Sequence, residues 1–105
     1  MQNNTKYKTI IEKYILSQED IVVWGTGSYV HSLINEYNLG KCNISYFVDN
    51  NEARQNILID GKKIYSPTKE NLEGKTIVIC SMLYSEDIIS QINSMGIDCK
   101  IINLS

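Results

Sequence analysis

Residues 21–28 read Ile21-Val22-Val23-Trp24-Gly25-Thr26-Gly27-Ser28, and the reading of the rest of the chain follows from them. The first four are apolar on both faces of an extended chain, and their β-branched and aromatic side chains favour a strand. A strand with no polar face belongs in the middle of a parallel sheet, covered on both sides. Two glycines follow, and then Val30, Leu33, Ile34 and Tyr37 recur with the period of a helix over 28–38. Ser28 is expected to cap that helix, and Gly40 to end it. In this strand–turn–helix context a Gly-x-Gly element has a chemical use. The first glycine permits a sharp bend and the second lets a phosphate approach the backbone. The unpaired amides and the dipole of the helix start attract the anion. A tight turn with a serine cap and no ligand is the plainer reading of the same residues. The third glycine of the full dinucleotide pattern is replaced by Val30.

Working outward, Tyr7, Ile10, Ile11, Tyr14 and Ile15 predict a helix over 5–17 with Thr5 as its cap. Downstream of the turn, strands are expected at 44–48, 76–80 and 99–102. Between the first two, residues 57–65 form two extended pieces about the turn dipeptide Asp60-Gly61, and Pro67 opens a short helix over 67–72. A further helix, at 85–95, carries Ile88, Ile89, Ile92 and Met95 on one face, with Ser85 as its expected cap. Helices alternating with doubly apolar strands imply an α/β fold: a doubly wound, mostly parallel sheet with the first strand central. The expected architecture is a half-Rossmann three-layer sandwich, one domain over 1–105, with residues 1–17 as an added N-terminal helix and 18–105 as the βαβ core.

Composition narrows the function. The chain has 105 residues, is 43% hydrophobic and 21% charged, and carries a formal net charge of -2. No basic run supports binding to nucleic acid, and no apolar stretch is long enough to insert in a membrane. Three scattered cysteines suit a reducing cytoplasm better than a disulfide framework or a zinc site. One histidine, His31, removes most triad and metal chemistry. Tyr65 and Lys69 have the Tyr-x-x-x-Lys spacing of a dehydrogenase pair, but Pro67 between them breaks the helix such a pair requires.

The candidate ligand-binding residues are therefore those at the carboxyl ends of the strands. Gly25, Thr26, Gly27, Ser28 and Tyr29 make the turn, with Thr26 and Ser28 as hydroxyl donors. Asp49 ends the second strand about twenty residues past the turn, where a carboxylate can accept from ribose hydroxyls and disfavours a 2′-phosphate. The same aspartate could serve only the turn Asp49-Asn50-Asn51. If the free protein solvates it, Asp49→Ala leaves stability nearly unaltered. Asn50 is placed beside it, and Ser81 and Tyr84 belong to the loop after the third main strand.

The runs Val22–Ser28, Tyr46–Asn51, Gly61–Pro67 and Ile77–Ser81 together resemble a bacterial pattern: the small Rossmann-like domains attached to surface-polysaccharide enzymes. These include N-terminal domains of sugar acetyltransferases and modules accompanying sugar dehydratases, methyltransferases and glycosyltransferases. In the acetyltransferase version a Gly-His-Gly element helps hold a nucleotide-sugar, and this sequence has Ser28-Tyr29-Val30 there. One half of the full dinucleotide fold, with no nucleophile–base pair, metal cluster or acid–base pair, leads to the expectation of a non-catalytic, cytoplasmic module that binds a nucleotide-sugar or NAD. The resemblance implies that it works with a sugar-modifying enzyme domain or subunit, with homo-oligomerisation as a further expectation. Two alternatives remain open: a structural or oligomerising domain with an empty pocket, and an NAD-binding sensor or oxidoreductase fragment.

Overall fold

A computed structural model describes residues 4–105. The start of the expected domain, residues 1–3, lies outside the described residues. Among the described residues, five parallel strands form one sheet in the order β3-β2-β1-β4-β5. They are β1 (Ile21–Trp24), β2 (Ile44–Val48), β3 (Ile64–Tyr65), β4 (Thr76–Ile79) and β5 (Lys100–Asn103). The most apolar run is thus the central strand, and every residue of β1 and β4 is buried.

Side-chain alternation along β1 divides the core in two. Ile21 and Val23 face a layer built from α1 (Asn4–Ser17) and α2 (Ser28–Glu36), where they meet Ile11, Tyr14, Val30, Leu33 and Phe47. Val22 and Trp24 face the opposite layer, made by α3 (Lys69–Leu72) and α4 (Ser85–Ser94), through Leu72, Ile88 and Ile92. The result is the three-layer α/β sandwich that the sequence implies, with α1 as the added helix. Val30 takes the place of the third glycine at no loss of contact: it is fully buried against the sheet. Its methyls fill the interface that a glycine would have closed by drawing the backbones together.

Several local expectations are corrected. Gly27, in extended conformation, takes the cap position of α2, and Ser28 is already helical. Ser85 is likewise the first residue of α4, with Tyr84 at its cap. Thr5 lies inside α1, where its carbonyl accepts from the Thr9 hydroxyl at 2.9 Å. Pro67 stands outside α3, because Thr68 caps that helix by accepting the Asn71 amide. Gly40 does not end α2. Asn38, at φ 65°, makes the left-handed turn, and Gly40 sits within the following 3-10 turn, Leu39–Lys41. Asparagine tolerates this conformation better than most residues because its short amide can bond locally. Within 57–65, Asp60 and Gly61 both have positive φ, and the turn is closed by paired bonds between Ile59 and Lys62. Only Ile64 and Tyr65 join the sheet, as an edge beside β2.

Candidate nucleotide-binding cleft

The connection after β1 runs to one face of the sheet and the connection after β4 to the other. Where neighbouring strands part in this way, a crevice opens beyond their carboxyl ends. Here it holds a cleft of about 650 Å³ between the Gly25–Tyr29 turn and the loop Ser81–Tyr84. A smaller cleft of about 310 Å³ adjoins it on the side of α4, and Gly25, Asp49, Asn51, Ser81 and Tyr84 line both. Every residue proposed from sequence is found here: Asn50 on the smaller cleft and the other eight on the larger.

The two glycines do different work. The Gly25 amide donates to the Val48 carbonyl at 3.1 Å, and the Cys80 amide to the Trp24 carbonyl at 2.9 Å, so the turn starts while still tied to both neighbouring strands. Gly25 has φ +133°, and a Cβ there would sit 2.5 Å from the Cys80 carbonyl oxygen. At Gly27 a Cβ would meet nothing within 4 Å. Its exposed backbone borders the cleft, and no side chain caps α2. The first-turn amides have no acceptor within the helix, and Ser28 and Tyr29, which carry two of them, line the cleft.

Asp49 stands beside this turn as expected, but its partners differ from those expected. The Thr26 hydroxyl, expected to donate to a bound anion, donates to Asp49 Oδ2 at 2.5 Å, and Thr26 is buried. The Asn51 amide donates to Asp49 Oδ1 at 2.8 Å. Both carboxylate oxygens are thus oriented by the protein, and each keeps acceptor capacity. Arg54, which pattern reading passed over, reaches back from the 3-10 turn Glu52–Asn56. Its Nε donates to Thr26 Oγ1 at 3.1 Å and its Nη2 to the Thr26 carbonyl at 2.5 Å. The sequence signal was Asn51, whose side chain accepts the Ala53 amide and starts that turn.

Three of the expected residues carry structural bonds. The Asn50 amide exchanges two hydrogen bonds with Gln91 of α4, at 3.0 and 3.1 Å. Asn50→Ala is accordingly expected to lower stability by about 0.5–1 kcal/mol, in a chemical-denaturation titration, with little effect on ligand affinity. Tyr29 donates its hydroxyl to the Leu104 carbonyl, and burial, reinforced by Tyr7, pushes its phenol up to about 12. It is a neutral donor that anchors the end of the chain, and its ring supplies only wall. Ser81 Oγ accepts the Tyr84 amide at 3.1 Å, and its own amide donates to Ser105 Oγ at 3.1 Å, shaping the loop. That loop exposes Met82, Leu83 and Tyr84, an apolar wall facing the polar turn. Cys80, at the base of the cleft, is fully buried and its thiol is pushed up by desolvation, as suits an inert core residue. His31 is exposed on α2, outside both clefts.

No helix among the described residues is long and apolar enough to cross a membrane. No curated protein matches the chain. Among solved structures, the UDP-D-quinovosamine 4-dehydrogenase of Vibrio fischeri shares the fold, with a TM-score of 0.52 and 21% identity over 82% of this chain and 80% of that one. That likeness, with the sheet order and the crevice, makes this a Rossmann-like fold. Residues 17–102 match the family described as C2185-like, N-terminal, and the chain belongs to that family.

Proposed function

We propose that this protein is a binding module for a nucleotide or nucleotide-sugar, serving a sugar-modifying enzyme domain or subunit in surface-glycan biosynthesis. The observation that carries this reading is the pairing of two features across one cleft. The uncapped start of α2 lies behind the open backbone of Gly27, and the doubly oriented Asp49 carboxylate stands beside it. The first suits a phosphate and the second a ribose hydroxyl, so together they favour a nucleotide over a plain anion. The apolar loop Met82–Tyr84 offers a surface for a base. The substrate of the Vibrio fischeri enzyme makes UDP-sugars the first ligands to test. Binding is the module's contribution, and chemistry on the sugar belongs to its partner.

A thermal-shift panel of UDP-sugars, NAD, NADP, coenzyme A and S-adenosylmethionine tests this. At a hundredfold excess over its dissociation constant, a true ligand adds about 2.7 kcal/mol of stability. A UDP-sugar or NAD is expected to raise the melting temperature more than NADP does, because Asp49 repels a 2′-phosphate. A panel in which nothing shifts the transition would refute the nucleotide reading.

A further inference from the structure

Arg54 lies outside the set of residues that line the two clefts, yet it is bound to Thr26, whose hydroxyl holds Asp49. Thr26 has one hydroxyl proton. Arg54 Nε donates to the oxygen that carries it, and Arg54 Nη2 holds the Thr26 carbonyl. With that acceptor site occupied by a cation, the proton is directed to Asp49 Oδ2. A hydroxyl polarised by a cation donates more strongly, because linked hydrogen bonds reinforce one another. The Asn51 amide holds the other carboxylate oxygen. The Asp49 side chain is therefore locked at one edge of the cleft, with its remaining lone pairs available there.

We infer that Arg54 is a positioning residue which, through Thr26, orients the Asp49 carboxylate to recognise the 2′-hydroxyl of a bound ribonucleotide. The inference rests on the nucleotide reading above and adds its specificity determinant. Arg54 acts only by fixing the acceptor in advance. Its loss frees the Thr26 hydroxyl and the Asp49 rotamer, and binding of a ribose must then supply the ordering. Ligands without a 2′-hydroxyl do not use that acceptor and are indifferent to the change.

The test is isothermal calorimetry with UDP and 2′-deoxy-UDP on the parent and on Arg54→Gln, with circular dichroism melts to confirm folding. The parent should prefer UDP by about tenfold, the discrimination one hydrogen bond carries. In Arg54→Gln the preference should fall below about threefold, while affinity for 2′-deoxy-UDP changes less than about twofold. Thr26→Val cuts the same relay at its centre and should lose the preference too, whereas Thr26→Ser should keep it. Equal weakening of both nucleotides in Arg54→Gln would show a general structural or phosphate role and overturn the inference. An undiminished preference would overturn it as well. Should the parent bind neither nucleotide, the inference falls, and the thermal-shift panel decides whether the underlying reading falls with it; a parent that discriminates while both Arg54→Gln and Thr26→Val do likewise leaves that reading standing and removes only the role of Arg54.

Discussion

Gly25→Ala is expected to cost about 3–5 kcal/mol of folding stability, the largest single-site effect in the turn. Two independent penalties combine. The backbone at φ +133° lies in a region that side-chain-bearing residues rarely adopt, and the new methyl would sit 2.5 Å from the Cys80 carbonyl oxygen. That oxygen belongs to backbone at the end of the central sheet, so it cannot rotate away as a side chain would. Against the 5–15 kcal/mol that holds an ordinary domain together, such a loss leaves little margin. A urea titration measures it as a large fall in midpoint with little change in slope. Gly27→Val makes the opposite trade. The position has φ -87° and ψ -166°, which suits a β-branched residue, and the space around it is open. Its stability should fall by no more than about 1 kcal/mol, the cost of a poorer cap residue, while the branched side chain occupies the place a phosphate must reach. Affinity for the best nucleotide should drop about a hundredfold or more. Normal binding by a well-folded Gly27→Val protein would place the ligand somewhere other than this turn.

Asp49→Ala should weaken nucleotide binding by roughly 10- to 150-fold, the range of about 1.5–3 kcal/mol for a hydrogen bond to a charged group. It should also destabilise the free protein by about 2 kcal/mol, or roughly 10 °C in melting temperature. This second effect reverses the expectation from sequence. A solvated carboxylate at a strand end would be dispensable, but this one receives the Thr26 hydroxyl and the Asn51 amide. Removing it leaves a buried hydroxyl without its acceptor and loosens the start of the turn that delivers Arg54. Asp49→Asn separates the two roles. Its amide oxygen can still accept one of these bonds, so most stability should return, while the weaker acceptor leaves affinity low. If calorimetry finds equal affinity for parent and Asp49→Ala, the carboxylate has no part in ligand recognition.

The layout of the fold was legible because it rests on local pattern. Ile21–Trp24 and Thr76–Ile79 are apolar on both faces, and only the middle of a covered parallel sheet satisfies such runs. The amphipathic repeats of α2 and α4 specify which faces they bury, and the glycine turn between β1 and α2 marks the edge where a ligand can approach. That much follows from which side chains avoid water, a property each residue carries with it. The bonds within the site are of another kind. Thr26 and Asp49 are far apart in the chain, and Arg54 comes back to Thr26 only because the 3-10 turn started by Asn51 reverses its direction. A lone threonine, aspartate or arginine has many partners open to it, and its own neighbours do not choose among them. The same reason explains the misplaced caps and the structural bonds of Asn50 and Tyr29. A hydroxyl or an amide near a helix start can serve its own helix or a partner across the fold, at similar energy. The difference is decided when sheet packing brings Gln91 to Asn50 and the end of the chain to Tyr29. Burial pattern is additive along the chain and can be read locally, whereas polar pairing is directional and exclusive, so it is determined only once the packed layers have set which groups lie within reach.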